Sequence, residues 1–455
     1  MNILICGAGE VGSYSAEVLA PKGNNITVVD STSERLRLIE EKFDVSTLVG
    51  DCAHAETLLE AGAAEADLVL LATSRDEVNL LGASLAKGLG AQKVIARVHQ
   101  ATYFENRGLN YQDYLRIDQL ICPEYSAAQA IARTLRNPGA MAIEDFARGQ
   151  IEMQEFRVKP NARSIDKRLK ELTLPTGVRL AAVTRNGYSF IPDANTVITA
   201  DDVIVLVGNT DVFSQATRLF TAESSRRQRT VLFGGRDIAV WLCRMLEGGN
   251  ASIRLFETDR AIAEELAEVL DWVTVINADP TDPVTFDEEH LEQTDAFVAL
   301  ADDDEQNILS CAWAKSMGAA QAIAVVQRQS YVHLLPHVHI DKAFSPRRVA
   351  VREIENVIDQ SPLRRVASLA EGDVDVFQAR VGEGAPVIDR PLRTVKLTPD
   401  WMVAAVQNES SVFVPTADDA LSKGDTALLI GRSGTEDRIR KLFVGEANGR
   451  RRYGR

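Results

Sequence analysis

The sequence predicts an α/β protein: a duplicated, doubly wound parallel sheet in which each copy is followed by a small α+β subdomain. Three observations predict it. The chain repeats itself at near-constant offsets. Short β-branched runs alternate with helical patterns in each copy. Each copy then closes in hairpin-like strands that break this alternation.

The repeat is read first, because overlooking one misassigns the whole fold. Ile3-Leu4-Ile5-Cys6-Gly7-Ala8-Gly9-Glu10-Val11-Gly12 is echoed by Val231-Leu232-Phe233-Gly234-Gly235-Arg236-Asp237-Ile238-Ala239 at an offset of 227. Ile26 to Asp30 matches Ile253 to Glu257, within the run Ser252 to Glu257, at the same offset, and Asp76-Glu77-Val78-Asn79 matches Asp304-Glu305-Gln306-Asn307 at 228. Further on, Val205-Leu206-Val207-Gly208 matches Leu428-Leu429-Ile430-Gly431, and Leu219-Phe220 matches Leu442-Phe443, both at 223. Matches in one order at such offsets mean duplication. The polar run Glu223 to Arg229 links the copies.

Within the first copy, strand-like runs at 2–6, 26–30, 45–49, 67–72 and 93–97 alternate with helical patterns. Apolar runs that continuous suit strands covered on both faces, as in a parallel sheet. The tail differs. Val178 to Arg185, an Asn186-Gly187 turn and Tyr188 to Ile191 carry a hairpin signal, and Val203 to Val207 adds a strand. Between sheet and tail lies an amphipathic stretch, Ser126 to Leu135, closed by Asn137-Pro138-Gly139. The expected organisation is a sheet domain over residues 1–122, a crossover helix within 123–144 and a small α+β subdomain over 145–226. The second copy repeats it, with a sheet domain over 229–346, a crossover helix within 347–371 and a small subdomain over 372–446. A basic tail, 447–455, carries Arg450, Arg451 and Arg452, a frayed terminus or a lipid contact.

Gly7-x-Gly9-x-x-Gly12 opens a helix straight after the first strand, and Asp30 follows eighteen residues beyond Gly12. That strand–turn–helix setting is the one a Rossmann-like dinucleotide site requires. Gly7 permits the tight turn, Gly9 lets backbone approach a pyrophosphate, and Gly12 lets helix pack on strand. Ala8, Glu10 and Val11 complete the loop, whose helix N-terminus offers N–H groups and a partial positive charge to phosphate. Asp30 can accept both ribose hydroxyls of NAD(H) and would repel a 2′-phosphate. Thr73, Ser74 and Arg97 stand at the carboxyl edge of the same sheet. Arg97 can meet a phosphate in a bidentate manner or pair with a carboxylate. Asp51 can face the adenine end or cap the next helix. In the second copy Arg236 replaces the middle glycine and Ala239 the third, while Glu257 stands where Asp30 stands. The expectation there is a degenerate site or a different ligand, unless Arg236 itself grips a phosphate.

Composition bounds the function. The chain has 455 residues, 45% hydrophobic and 25% charged, with a net charge of −15. That fits about three globular domains and argues against nucleic acid as a partner. Residues 261–314 hold 15 Asp or Glu and no Lys or Arg, so this window alone accounts for the net charge. The five cysteines (Cys6, Cys52, Cys122, Cys243, Cys311) are scattered without metal-ligand spacing, as in a reducing compartment. Apolar runs are strand-sized and Met1 leads at once into a strand, so a cytoplasmic chain is expected. No metal is expected. Pro336 interrupts the helix that would pair His333 and His337, with His339 beside them, and Asp302-Asp303-Asp304-Glu305 reads better as a helix start than as a calcium loop.

The duplicated order, Gly7 to Gly12, Val28-Val29-Asp30, Val49-Gly50-Asp51 and Asp76-Glu77-Val78-Asn79 together resemble the family of Trk potassium-uptake regulators. These carry two tandem nucleotide-binding domains of the type that regulates potassium conductance (RCK/KTN), each with a small C-terminal subdomain. The resemblance covers about residues 1–445. It implies a non-catalytic regulatory subunit, peripheral on the cytoplasmic face of the inner membrane and docked on a membrane-embedded Trk potassium channel subunit. It implies gating by NAD(H), with ATP and ADP also sensed, and a homotetrameric ring crossed by the helices at Ser126 to Leu135 and about Arg347 to Ile358. It further implies nucleotide contacts at Gly7 to Val11, Asp30, Thr73, Ser74 and Arg97, and in the second copy at Ala239 to Cys243 and Glu257, where Arg236 departs from the pattern. The rival is an NAD-dependent oxidoreductase. It needs a proton donor beside the nicotinamide, and of the six histidines, which include His54 and His290, only His99 falls near that edge.

Overall fold

The computed structural model describes residues 1–104, 108–137, 140–147, 150–221, 227–328, 331, 333–359, 361–369, 373–395, 397, 401–408 and 410–445. Strands β1 (Asn2–Cys6), β2 (Asn25–Asp30), β3 (Ser46–Val49), β4 (Leu68–Leu71), β5 (Lys93–Arg97) and β6 (Gln119–Ile121) alternate with helices. These are α1 (Glu10–Leu19), α2 (Ser33–Glu40), α3 (Ala55–Glu60), α4 (Asp76–Leu89), the single turns α5 (Ala101–Phe104) and α6 (Tyr111–Tyr114), and α7 (Pro123–Arg136). The strands pair in parallel in the order β3-β2-β1-β4-β5-β6. Order reverses between β1 and β4, and ligands of open α/β sheets bind in the crevice at that switch. All four residues of β4 are buried, which explains its unbroken apolar run.

The first small sheet follows, with β7 (Ala140–Phe146), β8 (Ile151–Arg157), β9 (Val178–Arg185), β10 (Tyr188–Phe190), β11 (Val203–Asn209) and a helix, α8 (Thr210–Thr217). Its order is β10-β9-β11-β8-β7, with antiparallel pairs. Asn186 and Gly187 both take positive φ (52° and 74°), the primed turn that matches strand twist in a two-residue hairpin.

The second copy repeats both parts. Its parallel sheet holds β12 (Gln228–Phe233), β13 (Ala251–Phe256), β14 (Thr274–Ile276), β15 (Ala296–Ala299), β16 (Gln321–Val325) and β17 (Lys342–Phe344), ordered β14-β13-β12-β15-β16-β17. Its helices are α9 (Arg236–Leu246), α10 (Arg260–Val269), α11 (Pro283–Glu288), α12 (Asp304–Ser316) and α13 (Pro346–Ile358). The last sheet holds β18 (Leu363–Leu369), β19 (Val374–Arg380), β20 (Trp401–Gln407), β21 (Val412–Phe413) and β22 (Thr426–Arg432), ordered β18-β19-β22-β20-β21.

The chain visits two compact units in turn, one from residues 1–132 and 226–360 and the other from 133–225 and 361–455. The first unit joins the two parallel sheets. Ala350 and Ile354 of α13 are buried in the core of the first sheet domain, with Ile3, Ile5, Val11 and Leu19. Lys93 Nζ donates to the Val357 carbonyl at 2.6 Å, and Lys22 pairs with Glu355. In the other direction, Tyr125 of α7 meets Trp241 of α9 edge-on at 5.0 Å. The crossover contact that the resemblance places between neighbours in a ring is thus made here between two copies in one chain. In the second unit, Met153, Val205 and Val207 share one core with Val374, Val376 and Ile430, so the two antiparallel sheets face each other.

The two segments expected as crossover helices, 123–144 and 347–371, end in strand instead, since β7 begins at Ala140 and β18 at Leu363. Both are edge strands, whose apolar pattern needs to satisfy one neighbour only and so is weak in sequence. The basic tail lies outside the described residues. In the acidic window, part of the charge sits at helix starts and turns. Asp282 Oδ2 accepts from Thr285 N at 3.0 Å and Asp303 Oδ1 from Gln306 N at 2.7 Å. Asp279 closes a turn onto Thr281.

Candidate nucleotide-binding site

The site is built on the three-residue loop between β1 and α1. Gly7 sits at φ +108°, and a Cβ there would lie 2.7 Å from the Ala72 carbonyl carbon, so glycine is required twice over. Its N–H donates to Val29 O at 2.7 Å. Gly12 has a different need: a Cβ there would stand 1.8 Å from Gly7 O. Gly9 has neither. Its backbone (φ −78°, ψ −165°) is extended and open to any residue, and a Cβ would meet nothing within 4 Å. Gly9 is also the N-cap of α1, where no side chain caps the helix. Glycine is acceptable at an N-cap but no contact among the described residues requires it here, whereas a phosphate approaching the bare N–H groups would.

Asp30 is 7% exposed, and its carboxylate holds the loop. Oδ2 accepts Ala8 N at 2.7 Å and Oδ1 accepts Thr32 N at 2.8 Å. Each oxygen keeps a further lone pair, so a ribose hydroxyl can still be accepted. Asp30 is therefore both a loop anchor and an available acceptor. Asp51 is exposed and closes its own turn, with Oδ1 accepting Ala53 N at 2.9 Å.

Across the switch point, Thr73 donates its hydroxyl to Asn79 Oδ1 at 2.7 Å, and Ser74 is exposed. Arg97 takes the carboxylate of the two partners open to it, with Nη2 2.7 Å from Glu124 Oε1. Its Nε is buried without a partner among the described residues. Glu10, 64% exposed, pairs with Arg347 at the head of α13. Val11 is buried in the core, which leaves only its N–H available to a ligand.

Sequence reasoning missed a clamp on the two strand ends. Asn79 Nδ2 donates to Thr73 O and to Arg97 O, both at 3.0 Å, tying β4 to β5. Asp76 accepts His99 N, Gln100 N and the His99 ring Nδ1, the last at 2.7 Å. The second copy repeats this: Asn307 bridges Ala301 and Val325, and Asp304 accepts Gln327 N and Arg328 N. The repeated Asp-Glu-x-Asn was the available signal. Its clamp uses also place Asp304 inside the fold and leave Glu305 paired with Arg328 and Tyr331, rather than grouped for a cation.

Burial alone would raise the Asp76 carboxyl, but hydrogen bonds from His99 and Gln100 outweigh it and hold the group below the ordinary carboxylate range. A depressed folded value adds stability above the unfolded value and loses it as pH falls through the folded one. Asp76→Asn is accordingly expected to cost about 2 kcal/mol at pH 7, with the gap to wild type closing below pH about 4, in urea unfolding series.

The second copy departs in backbone as well as sequence. Its loop has two residues, Gly234 and Gly235, both at positive φ (68° and 80°), and α9 begins at Arg236. A Cβ on Gly235 would lie 2.1 Å from Leu300 Cβ, so both glycines there serve the turn. Arg236 turns away to pair with Glu265 of α10. Beside it, desolvation first and the Glu124 charge second push the Asp237 carboxyl up. Glu257 is 9% exposed and accepts Asp259 N at 2.9 Å, with no bond to its glycine loop among the described residues.

The comparisons agree with this tandem arrangement. The TrkA-N domain family matches residues 3–123 and 230–346, and the TrkA-C domain family matches 153–221 and 376–444. The chain is 31% identical to the Trk system potassium uptake protein TrkA homolog of Archaeoglobus fulgidus, covering 97% of this chain and all of that one. Among solved structures it is similar in fold to the GsuK channel bound to NAD (TM-score 0.61, 17% identity, 97% of this chain and 78% of that one). It is likewise similar to GsuK bound to ADP (TM-score 0.51, 13% identity, 79% and 69%). With its family domains in tandem over most of its length, the chain belongs to the TrkA family of Trk potassium-uptake regulatory proteins.

Proposed function

We propose that this chain senses nucleotides through its first sheet domain and thereby gates a membrane-embedded Trk-type potassium channel subunit. NAD(H) is the main ligand and ATP or ADP share the adenosine half of the site. Gly9 carries the reading: it starts α1 with its N–H groups uncapped by a side chain, and a Cβ there would meet nothing within 4 Å among the described residues, which leaves room for a phosphate. Asp30 at the end of β2 supplies the ribose acceptor. The family's potassium-uptake name and the NAD- and ADP-bound GsuK channels support the same ligand class and the same kind of partner.

The site residues in the first copy are Gly7 to Gly12, which act through their backbone N–H groups, with Asp30, Asp51, Thr73, Ser74 and Arg97. Arg97 reaches a ligand only by leaving Glu124. The domain limits set out from the sequence, a homotetrameric ring and a position at the cytoplasmic face of the inner membrane belong to the same proposal. No helix among the described residues is long and apolar enough to cross a membrane, and the proposal places membrane contact in the partner subunit. The second copy acts as a scaffold without a dinucleotide. The role is regulatory rather than enzymatic, and a ligand shifts the two ring states only by its differential affinity for them.

Potassium uptake in cells lacking the chain is expected to be restored by the wild type and to follow nucleotide occupancy. Uptake indifferent to its loss would overturn the reading, and substrate-dependent NADH turnover by the purified chain would favour the oxidoreductase instead.

A further inference from the structure

Helices α1 and α13 lie side by side and parallel. Glu10 and Arg347 pair at their N-terminal ends, while Lys22, just past α1, and Glu355 pair at the other. Ala350 and Ile354 fix the contact by burial. Two helix N-termini, one from each copy, therefore converge on the rim of the Gly9 loop. Arg347 is 24% exposed and engages Glu10 with two nitrogens, Nε to Oε2 at 3.1 Å and Nη2 to Oε1. Glu10 by itself is misplaced for the proposed ligand, being a carboxylate in the first turn where pyrophosphate would dock. A guanidinium held there by a carboxylate of one charge meets a stronger rival in a phosphate of one or two.

We infer that Arg347, carried on the crossover helix of the second copy, is a phosphate ligand of the nucleotide site in the first copy, and that Glu10 holds it in reserve until phosphate arrives. The inference rests on the nucleotide reading above and adds a residue that no sequence motif of the first copy contains. It makes the site composite: occupation of the first copy moves a side chain of the second, and the exchange of Glu10 for phosphate occurs at the head of α13.

The test is calorimetric titration of the full chain with NAD and with ADP, for wild type, Arg347→Ala, Arg347→Lys and Glu10→Gln. Arg347→Ala is expected to weaken both ligands about tenfold, the scale of one charge-assisted bond, with Arg347→Lys between. Glu10→Gln is expected to bind about twofold more tightly, since it removes the competitor. The opposite signs exclude a merely structural pair, and Arg347→Ala in a Glu10→Gln background, where no carboxylate is left unpaired, is expected to weaken binding as well; no loss there overturns the inference. Both substitutions break the same ion pair, so a merely structural role for that pair would weaken binding in both. Equal loss in both, or unchanged affinity in Arg347→Ala, overturns this inference and leaves the nucleotide reading standing. A wild type that binds neither ligand overturns both.

Discussion

Gly9→Arg is expected to weaken NAD binding by about a hundredfold or more, the scale of several lost charge-assisted hydrogen bonds. The same substitution is expected to shift the thermal midpoint by only about 1–2 °C. The dissociation follows from the local geometry. At φ −78° an arginine backbone is unstrained, and its Cβ would meet no atom of the chain within 4 Å. The bulk enters only the space a ligand needs. The second copy carries Arg236 at the corresponding position, with its side chain turned onto Glu265. Titration and a melting curve on the same preparation check it. A variant that binds NAD as wild type would remove the reason for glycine at this position.

Gly12→Ala is expected to do the reverse and strike the fold itself. The added Cβ would stand 1.8 Å from Gly7 O and 3.3 Å from an Ile5 methyl, and the first of these is backbone that cannot swing aside. Overpacking costs about 1–3 kcal/mol where side chains can adjust, so the upper end or beyond is expected here. Ala239 occupies the corresponding place in the second copy, buried, with its N–H bonded to Gly235 O. The shorter two-residue turn accommodates it, and Ala239→Gly is expected to cost no more than about 1 kcal/mol of helix propensity. Urea unfolding of the two variants checks the pair.

The parallel sheets were legible because β-branched runs such as Ile3 to Cys6 and Leu68 to Leu71 are buried on both faces, and continuous burial leaves continuous apolar sequence. The glycine loop was legible because Gly7 and Gly12 answer to local sterics, and the Asn186-Gly187 hairpin because its turn needs positive φ twice. What could not be read are the relations between distant residues. Arg97 had two chemically equal partners in sequence, and only the fold brings Glu124 within 2.7 Å. The sequence suggested Asp30 for a ribose, but its hold on Ala8 N depends on β1 and β2 lying in register. Arg347 and Glu10 are 337 positions apart, so their pairing exists only once the copies pack together. Strands β6, β7 and β18 were missed because short or edge strands carry little periodic signal, and the interior β8 because Glu152, Gln154 and Glu155, all buried, break up its apolar pattern.

The central claim is that one copy of this duplicated chain binds a dinucleotide and the other does not. Calorimetric titration of the purified full chain with NAD tests it most directly, through the number of sites per chain. We expect one site, eliminated by Gly9→Arg and unaffected by Arg236→Gly. Two equivalent tight sites per chain, or a single site that survives Gly9→Arg, would contradict the account.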